Sequence, residues 1–298
     1  MSICFKCVLL IEKEIPAHGL HHSCFHEWFK TSNSHFVNVA LKKTAELSNS
    51  SFDPINTSFF HGKFKKYAAE LENKSYILKV QDDTYPELPR VEYLSNQIAK
   101  KLGLNLPNFY LIRFLNELES FVVDNFMDNY LPGNLIHIYH LLDPNQPFSC
   151  HSILKVLNEK LGRITAIEQF IHLCLFDALI GNHDRHGRNI AFIETKKGLE
   201  LAPFYDNPSY LGIEDYRLLG ANHNPRGRIV TSKADHPTMQ DYVVEFKELS
   251  YLEHLNTFKQ RLQKLDLDML IQNSFLSDKR KDAFTQLTHA RLKEFNNA

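Results

Sequence analysis

The hydrophobic pattern of this chain changes period once, near Met127, and that change limits the folds open to it. Before it, short runs rich in Tyr, Ile, Val and Phe are separated by turn residues. KFKKYAAEL (63–71) and SYILKVQ (75–81) flank the polar stop Glu72 to Lys74, which predicts a hairpin. Residues 87–102 place Val91, Leu94, Ile98 and Leu102 at helical spacing, and Gly103 follows as a stop. FYLIRF (109–114) and SFVVDNFM (120–127) read as two further strands. Beyond Met127, Leu131-Pro132-Gly133 marks a turn. Most of the remainder reads as helix, with segments at 151–161, 165–181 and 250–271. Strands first and helices after is an α+β pattern.

The 298 residues are 43% apolar, enough for a well-filled core in one large domain or two. A net charge of -1 excludes the strongly basic balance of a dedicated nucleic-acid binder. The 22 Phe and 12 Tyr exclude an acidic disordered chain. The longest apolar run, Phe170 to Ile180, is interrupted by His172 and Asp177, so it reads as a buried helix rather than a membrane span. The apolar stretch Cys7 to Ile11 is too short for a secretory signal and runs into Glu12, Lys13 and Glu14. Five cysteines, an odd number, favour a reduced cytosolic compartment over a disulfide framework. Residues 46–58 are rich in Ser, Asn, Asp and Pro and read as a loop.

The most informative stretch is GNHDRHGRN (181–189), in which Asp184 and Asn189 stand five apart. Protein kinases use an Asp to accept the substrate hydroxyl proton and an Asn five residues on to hold magnesium. Gly187 permits a tight path between the two. Arg185 and Arg188 flank the pair, where a triphosphate needs counter-charge. Asp206 follows 22 residues after Asp184 in LAPFYDNPS, the place of a second magnesium-binding Asp. Upstream, the strand residue Lys79 is the candidate grip on the nucleotide phosphates, and Glu92 on the next helix is its expected partner. Taken alone, each has a plain alternative: a snorkelling strand Lys, an ordinary polar loop at His183 and His186, an isolated Asp-Asn turn at Asp206. Their order along the chain favours a two-lobed kinase. Two rivals stand beside it: a metal phosphohydrolase built on the dyad His183-Asp184, and a pseudokinase that binds nucleotide or a partner. The basic run at 223–233 reads as a surface loop rather than a nucleic-acid site.

LIGNHDRHGRNIAF, LAPFYDNPS, YILKV, VEYLSNQIAKKLGL and FVVDNFM together resemble the HipA-type serine/threonine kinases, the toxins of bacterial toxin–antitoxin modules. The resemblance covers roughly residues 50–245. It implies a mixed β/α N-lobe (31–127) and a mainly helical C-lobe (128–298), behind a small Cys/His knuckle (1–30). It implies ATP and Mg2+, a protein Ser/Thr substrate such as an aminoacyl-tRNA synthetase, and a helix-turn-helix antitoxin, with DNA reached only through that partner. The length is similar to the short HipT-type branch, in which a separate small protein supplies the missing N-terminal subdomain. The implied compartment is the bacterial cytoplasm, with export to another cell left open. Asn125 and Phe126 would flank adenine, and Lys63 and His186 would add nucleotide contacts. Ser58 or Thr57 is the candidate autophosphorylation site, against a solvated turn. One departure is that the family's Ser-x-Ser-Gly phosphate loop corresponds here to Asn56 to Lys63, with Phe59 in place of the glycine. A Gly-poor loop presses its backbone less closely on phosphates.

Cys4 and Cys7 form a Cys-x-x-Cys, and His21 and Cys24 form a His-x-x-Cys after thirteen intervening residues. Two such pairs can meet around one tetrahedral zinc, and a segment with so little core would gain from it. His22 and His26 are alternatives to His21, and a degenerate knuckle with free thiols is the alternative to metal.

Overall fold

The computed structural model describes residues 2–12, 15–36, 66–114, 117–214, 217, 219 and 226–298. The expected loop at 46–58, with Ser58, Thr57 and Lys63, lies outside the described residues. Two compact units are present, Met1–Tyr93 with Pro107–Asn129, and Leu94–Leu106 with Tyr130–Ala298.

In the first unit, β1 (Ser2–Ile3) and β2 (Leu10–Ile11) pair antiparallel and precede α1 (His22–Phe29). A four-stranded antiparallel sheet follows, built from β3 (Lys66–Leu71), β4 (Lys74–Val80), β5 (Phe109–Phe114) and β6 (Leu118–Asp124). Its order is β3-β4-β6-β5. The β3–β4 hairpin closes through Glu72 and Asn73, both at positive φ, which suits a two-residue turn matching the twist of its strands. α2 (Leu88–Lys101) crosses from the first unit into the second at Tyr93. Its Arg90 forks onto the Glu119 carboxylate of β6. One face of the sheet is aromatic, and α1 covers it. Phe29 lies 4.6 Å from Tyr110 and 5.7 Å from Tyr76, ring centre to ring centre. Trp28 lies 5.5 Å from Tyr110. Burial of such rings is worth about 2–3 kcal/mol each.

The second unit gathers α3 (Cys150–Lys160), α4 (Ile164–Ile180), α5 (Met239–Glu248), α6 (Leu252–Gln263), α7 (Leu267–Gln272) and α8 (Asp278–Asn297). α4 is its core: 13 of its 17 residues are buried, including His172 and Asp177. Ser149 and Thr238 start α3 and α5 with reciprocal capping boxes.

Two expectations for the back half are corrected. The single helix expected at 250–271 is α6 and α7, broken at Lys264 to Asp266. The Asp266 side chain accepts from Met269 N and starts a new helix instead of continuing the old one. The back half also holds a three-stranded sheet of β7 (Asn134–His137), β8 (Ala191–Thr195) and β9 (Gly198–Leu201). Its strands are only four or five residues long, too short for a period-2 pattern to stand out from its surroundings.

Candidate active site

α4 ends where the informative loop begins. Gly181 caps it at φ 69, and Asn182 N reaches back to Asp177 O at 2.8 Å, closing the last turn. A Cβ on Gly181 would stand 2.8 Å from Tyr210 Cδ1, so both conformation and space demand glycine. The turn delivers residues 182–189 in a fixed path. Asp184 N donates to Asn182 Oδ1 at 3.0 Å, and Asn189 Nδ2 donates to Asp184 O at 3.3 Å. Asp184 is exposed, whereas Asn189 is buried. The Asn189 amide spends an N–H on the loop, and Oδ1 is the atom with which it could hold a metal. Gly187 serves a close approach, since a Cβ there would meet Tyr139 Cβ at 2.8 Å.

Arg185 does not flank the site as counter-charge; it is wholly buried beneath it. Its Nε and Nη2 fork onto Asp177 at 2.7 and 2.8 Å, and Nη2 also donates to Asn207 Oδ1 at 2.7 Å. Its Nη1 donates to the carbonyls of Tyr205 at 3.0 Å and Asp206 at 3.2 Å. Burial pushes this guanidinium down, but the Asp177 charge outweighs it and the net shift is upward. Asn207 completes the clamp through Nδ2 to Asn96 Oδ1 at 3.0 Å. One cation therefore ties α4 and the Asp184 loop to the Asp206 loop. Asp206 sits at φ 59, a left-handed conformation that Asp tolerates better than most residues.

His186 lies in the field of both Asp184 and Asp206, but burial, the larger effect, holds its imidazole below the usual range. Its Nδ1 accepts from Arg188 N at 3.2 Å. A cavity of about 1020 Å³ is lined by His183, the residue before Asp184, and by Tyr210, Glu214, Arg226, Arg228 and Asp235, among others.

In the first unit, Lys79 on β4 and Glu92 on α2 form a buried ion pair, with 4% and 1% of their surfaces exposed. Lys79 pairs in register with Phe121 of the neighbouring strand. Asn125 turns its side chain into the chain. Its Oδ1 accepts from Met127 N at 3.3 Å and its Nδ2 donates to Asp128 Oδ1 at 3.0 Å. This starts the 3-10 turn Phe126–Asn129, in which Phe126 is buried.

The N-terminal cluster also converges. The metal-binding atoms of Cys4, Cys7, His21 and Cys24 all lie within 4.8 Å of one another. His22 and His26 are exposed on α1. Burial pushes the Cys4 thiol up, but backbone N–H groups of Cys7, His21 and Lys6 outweigh it and bring it to about 7. This is the one such His/Cys/Asp/Glu cluster found among the described residues. Sequence reasoning missed Asp177, Asn182, Asn207 and Asn96. The available signal was Asp177, a carboxylate among the apolar residues Leu173 to Ile180, eight residues before an Arg.

The model of the HipA-like C-terminal domain matches residues 45–268. The chain belongs to that family. It is 25% identical over 197 residues to the serine/threonine-protein kinase toxin HipA of Shewanella oneidensis, a match over 57% of this chain and 45% of that protein. A second relative, from Haemophilus influenzae, is matched over 62% of its length, so the chain spans about half to three-fifths of these relatives. The fold is similar to the Helicobacter pylori proinflammatory kinase CtkA, with TM-score 0.63 and 17% identity over 78% of this chain and 92% of that one. It is similar too to a chain of the Shewanella oneidensis toxin–antitoxin complex of HipA, HipB and operator DNA. That match has TM-score 0.58 and 15% identity over 88% of this chain and 73% of that one. The architecture is thus mixed α and β of the kinase kind. No helix among the described residues is long and apolar enough to cross a membrane.

Proposed function

We propose that the chain is an ATP-dependent protein serine/threonine kinase and the toxin of a HipA-type module. The observation that carries this is the Arg185 clamp, which fixes the Asp184 loop and the Asp206 loop to one buried guanidinium. The donor set fits the group it would hold. Asn189 Oδ1 and the Asp206 carboxylate are hard oxygen donors of the kind magnesium takes, and Lys79, braced by Glu92, is a cation suited to phosphate oxygens. Bound ATP and magnesium would supply the phosphoryl group and the charge that offsets its transfer. The chain's own residues then divide the work. Asp184, exposed and next in the chain to the cavity-lining His183, accepts the proton of an incoming Ser or Thr hydroxyl. Asn189 and Asp206 hold metal, and Lys79 orients phosphate. His186, held neutral, adds a contact without adding charge. Near Asn125 and Phe126, adenine would meet a buried ring and backbone, because the Asn125 side chain is committed to its own turn.

The acceptor peptide belongs in the cavity that His183 lines, whose Arg226, Arg228, Glu214 and Asp235 offer charges of both signs. We assign the acceptor to a translation component such as an aminoacyl-tRNA synthetase, and the partners to a helix-turn-helix antitoxin and a small N-subdomain-like protein. The family resemblance supports both assignments, and the HipA, HipB and operator DNA complex of Shewanella oneidensis supports an antitoxin partner. Ser58 or Thr57 would take phosphate in cis.

Purified chain, incubated with labelled ATP and Mg2+ and a bacterial lysate, should label itself and a small set of proteins. Asp184→Asn and Asp206→Asn should abolish labelling, and Asp184→Asn should retain ATP binding. Labelling that persists in both variants would overturn the roles. ATP binding without transfer by the wild type would make the chain a pseudokinase.

A further inference from the structure

The geometry points to a zinc ion held by Cys4 Sγ, Cys7 Sγ, His21 Nδ1 and Cys24 Sγ, which fastens α1 to the aromatic face of the first unit's sheet. The inference is independent of the kinase reading.

Three observations converge on it. The first is the ligand set. Four soft or borderline donors lie within 4.8 Å of one another. A tetrahedral zinc with Zn–S near about 2.3 Å sets its ligand atoms roughly 3.8 Å apart, so a small contraction completes the shell. The second is the orientation of His21. Its Nε2 lies 3.1 Å from Leu10 O, and a carbonyl can only accept, so Nε2 carries the proton. Nδ1 is then a lone pair, and it stands 3.3 Å from Cys7 Sγ and 4.0 Å from Cys24 Sγ. A metal-binding imidazole is oriented in this way, its far nitrogen tied to a carbonyl. The third is the turn that brings Cys7 back to Cys4. Val8, a β-branched residue, sits at φ 63. Such a conformation costs about 1–3 kcal/mol and persists only where its surroundings over-determine it. Val8 N donates to Cys4 O and Cys4 N to Leu9 O, each at 2.9 Å, closing a tight loop under the sulfurs.

The segment needs such a crosslink. Its strands are two residues long, and Ile3, Val8, Leu9, Leu10 and Ile15 are exposed instead of forming a core. It buries only four apolar side chains outside the cysteines and α1, Phe5, Ile11, Ala17 and Leu20. α1 adds Phe25 and Phe29, which with Trp28 lie against the aromatic cluster of the sheet. The preceding loop pins the sheet's outer strand, since Arg113 N donates to His18 O at 2.8 Å. An ion joining residues 4, 7, 21 and 24 therefore closes the loop that carries His18 and anchors the start of α1. On binding, the thiols lose their protons to solvent and the thiolates bond to zinc.

Trp28 is the chain's one tryptophan, so its fluorescence reports whether α1 stays on the sheet. Full-length chain, expressed with zinc, should carry about one zinc per molecule by elemental analysis. Replacement by cobalt(II) should give the intense visible bands of tetrahedral thiolate coordination. Cys24→Ser and His21→Ala should lose the metal, and His22→Ala and His26→Ala should keep it. A strong chelator should shift Trp28 emission to the red, and added zinc should reverse the shift. Wild-type chain that holds no stoichiometric zinc, and gives no thiolate bands with cobalt, overturns the site. Metal release that leaves Trp28 emission unchanged overturns the fastening role.

Discussion

Replacing Arg185 by alanine should destabilise the second unit by about 3–5 kcal/mol, the range for breaking a buried pair by removing one partner. Arg185 is 1% exposed and Asp177 is 4% exposed, so water cannot step in for the lost guanidinium. The change strands the Asp177 carboxylate, which loses a fork of two charge-assisted bonds. It also strips donors from Asn207 Oδ1 and from the Tyr205 and Asp206 carbonyls. In a unit of this size about 2–4 °C follows each kcal/mol, so the melting point should fall by roughly 6–20 °C. Arg185→Lys keeps the charge but not the fork, and should cost about half as much. The assay is thermal and urea denaturation followed by far-ultraviolet circular dichroism, which the helices of this unit dominate. A double-mutant cycle with Asp177→Ala separates the pair from the bulk of the side chain. The double variant should be more stable than the two single losses predict, by about 2 kcal/mol or more. Additivity within about 0.5 kcal/mol, or a loss below about 1 kcal/mol for Arg185→Ala, would refute the clamp.

Other outcomes follow from single residues. His172 is wholly buried and neutral, with Nδ1 accepting from Arg261 and Nε2–H donating to His254 O. Burial above all holds it down at about 4, the hydrogen bond to the His254 carbonyl works against it, Arg261 lowers it further and Glu168 raises it. Its folded value lies below the unfolded one, so this contribution is complete above about pH 6.5. It should fade by about 3 kcal/mol as pH drops toward 4, and urea midpoints of wild type and His172→Gln across that window test it. Gly181→Ala should cost at least about 1–2 kcal/mol, and Tyr210→Ala should restore only part, because the left-handed φ remains. Lys79→Met strands a buried Glu92, so it should both destabilise the chain by about 3–5 kcal/mol and weaken ATP binding, and calorimetry reads each separately. Thr238→Ala removes the α5 cap and should cost about 1 kcal/mol in urea while labelling stays unchanged.

Local rules, legible in one sequence, determined the four longer strands of the first unit, the run of α2, its stop at Gly103, and the spacing of Asp184, Asn189 and Asp206; the two-residue strands β1 and β2 were too short to read. Each rests on residues within a few positions of one another: period, turn chemistry, cap. The cysteine and histidine pairs were legible for the same reason. Tertiary structure alone decided the rest. That Arg185 points inward to Asp177 depends on α4 lying directly beneath the loop, and no local pattern distinguishes a buried guanidinium from a solvated one. The same holds for Asn207 and Asn96, which are 111 residues apart and meet by a single hydrogen bond. Choosing His21 over His22 and His26 required the start of α1, because His21 precedes the helix and reaches back toward Cys7 while His22 and His26, four apart, share its exposed face. The sheet of β7, β8 and β9 is stabilised by partners far along the chain, and its short strands carry too little local signal to announce it. Chemistry was written in the spacing of the residues; the buried charge that holds that spacing in place was decided by what packs beneath it.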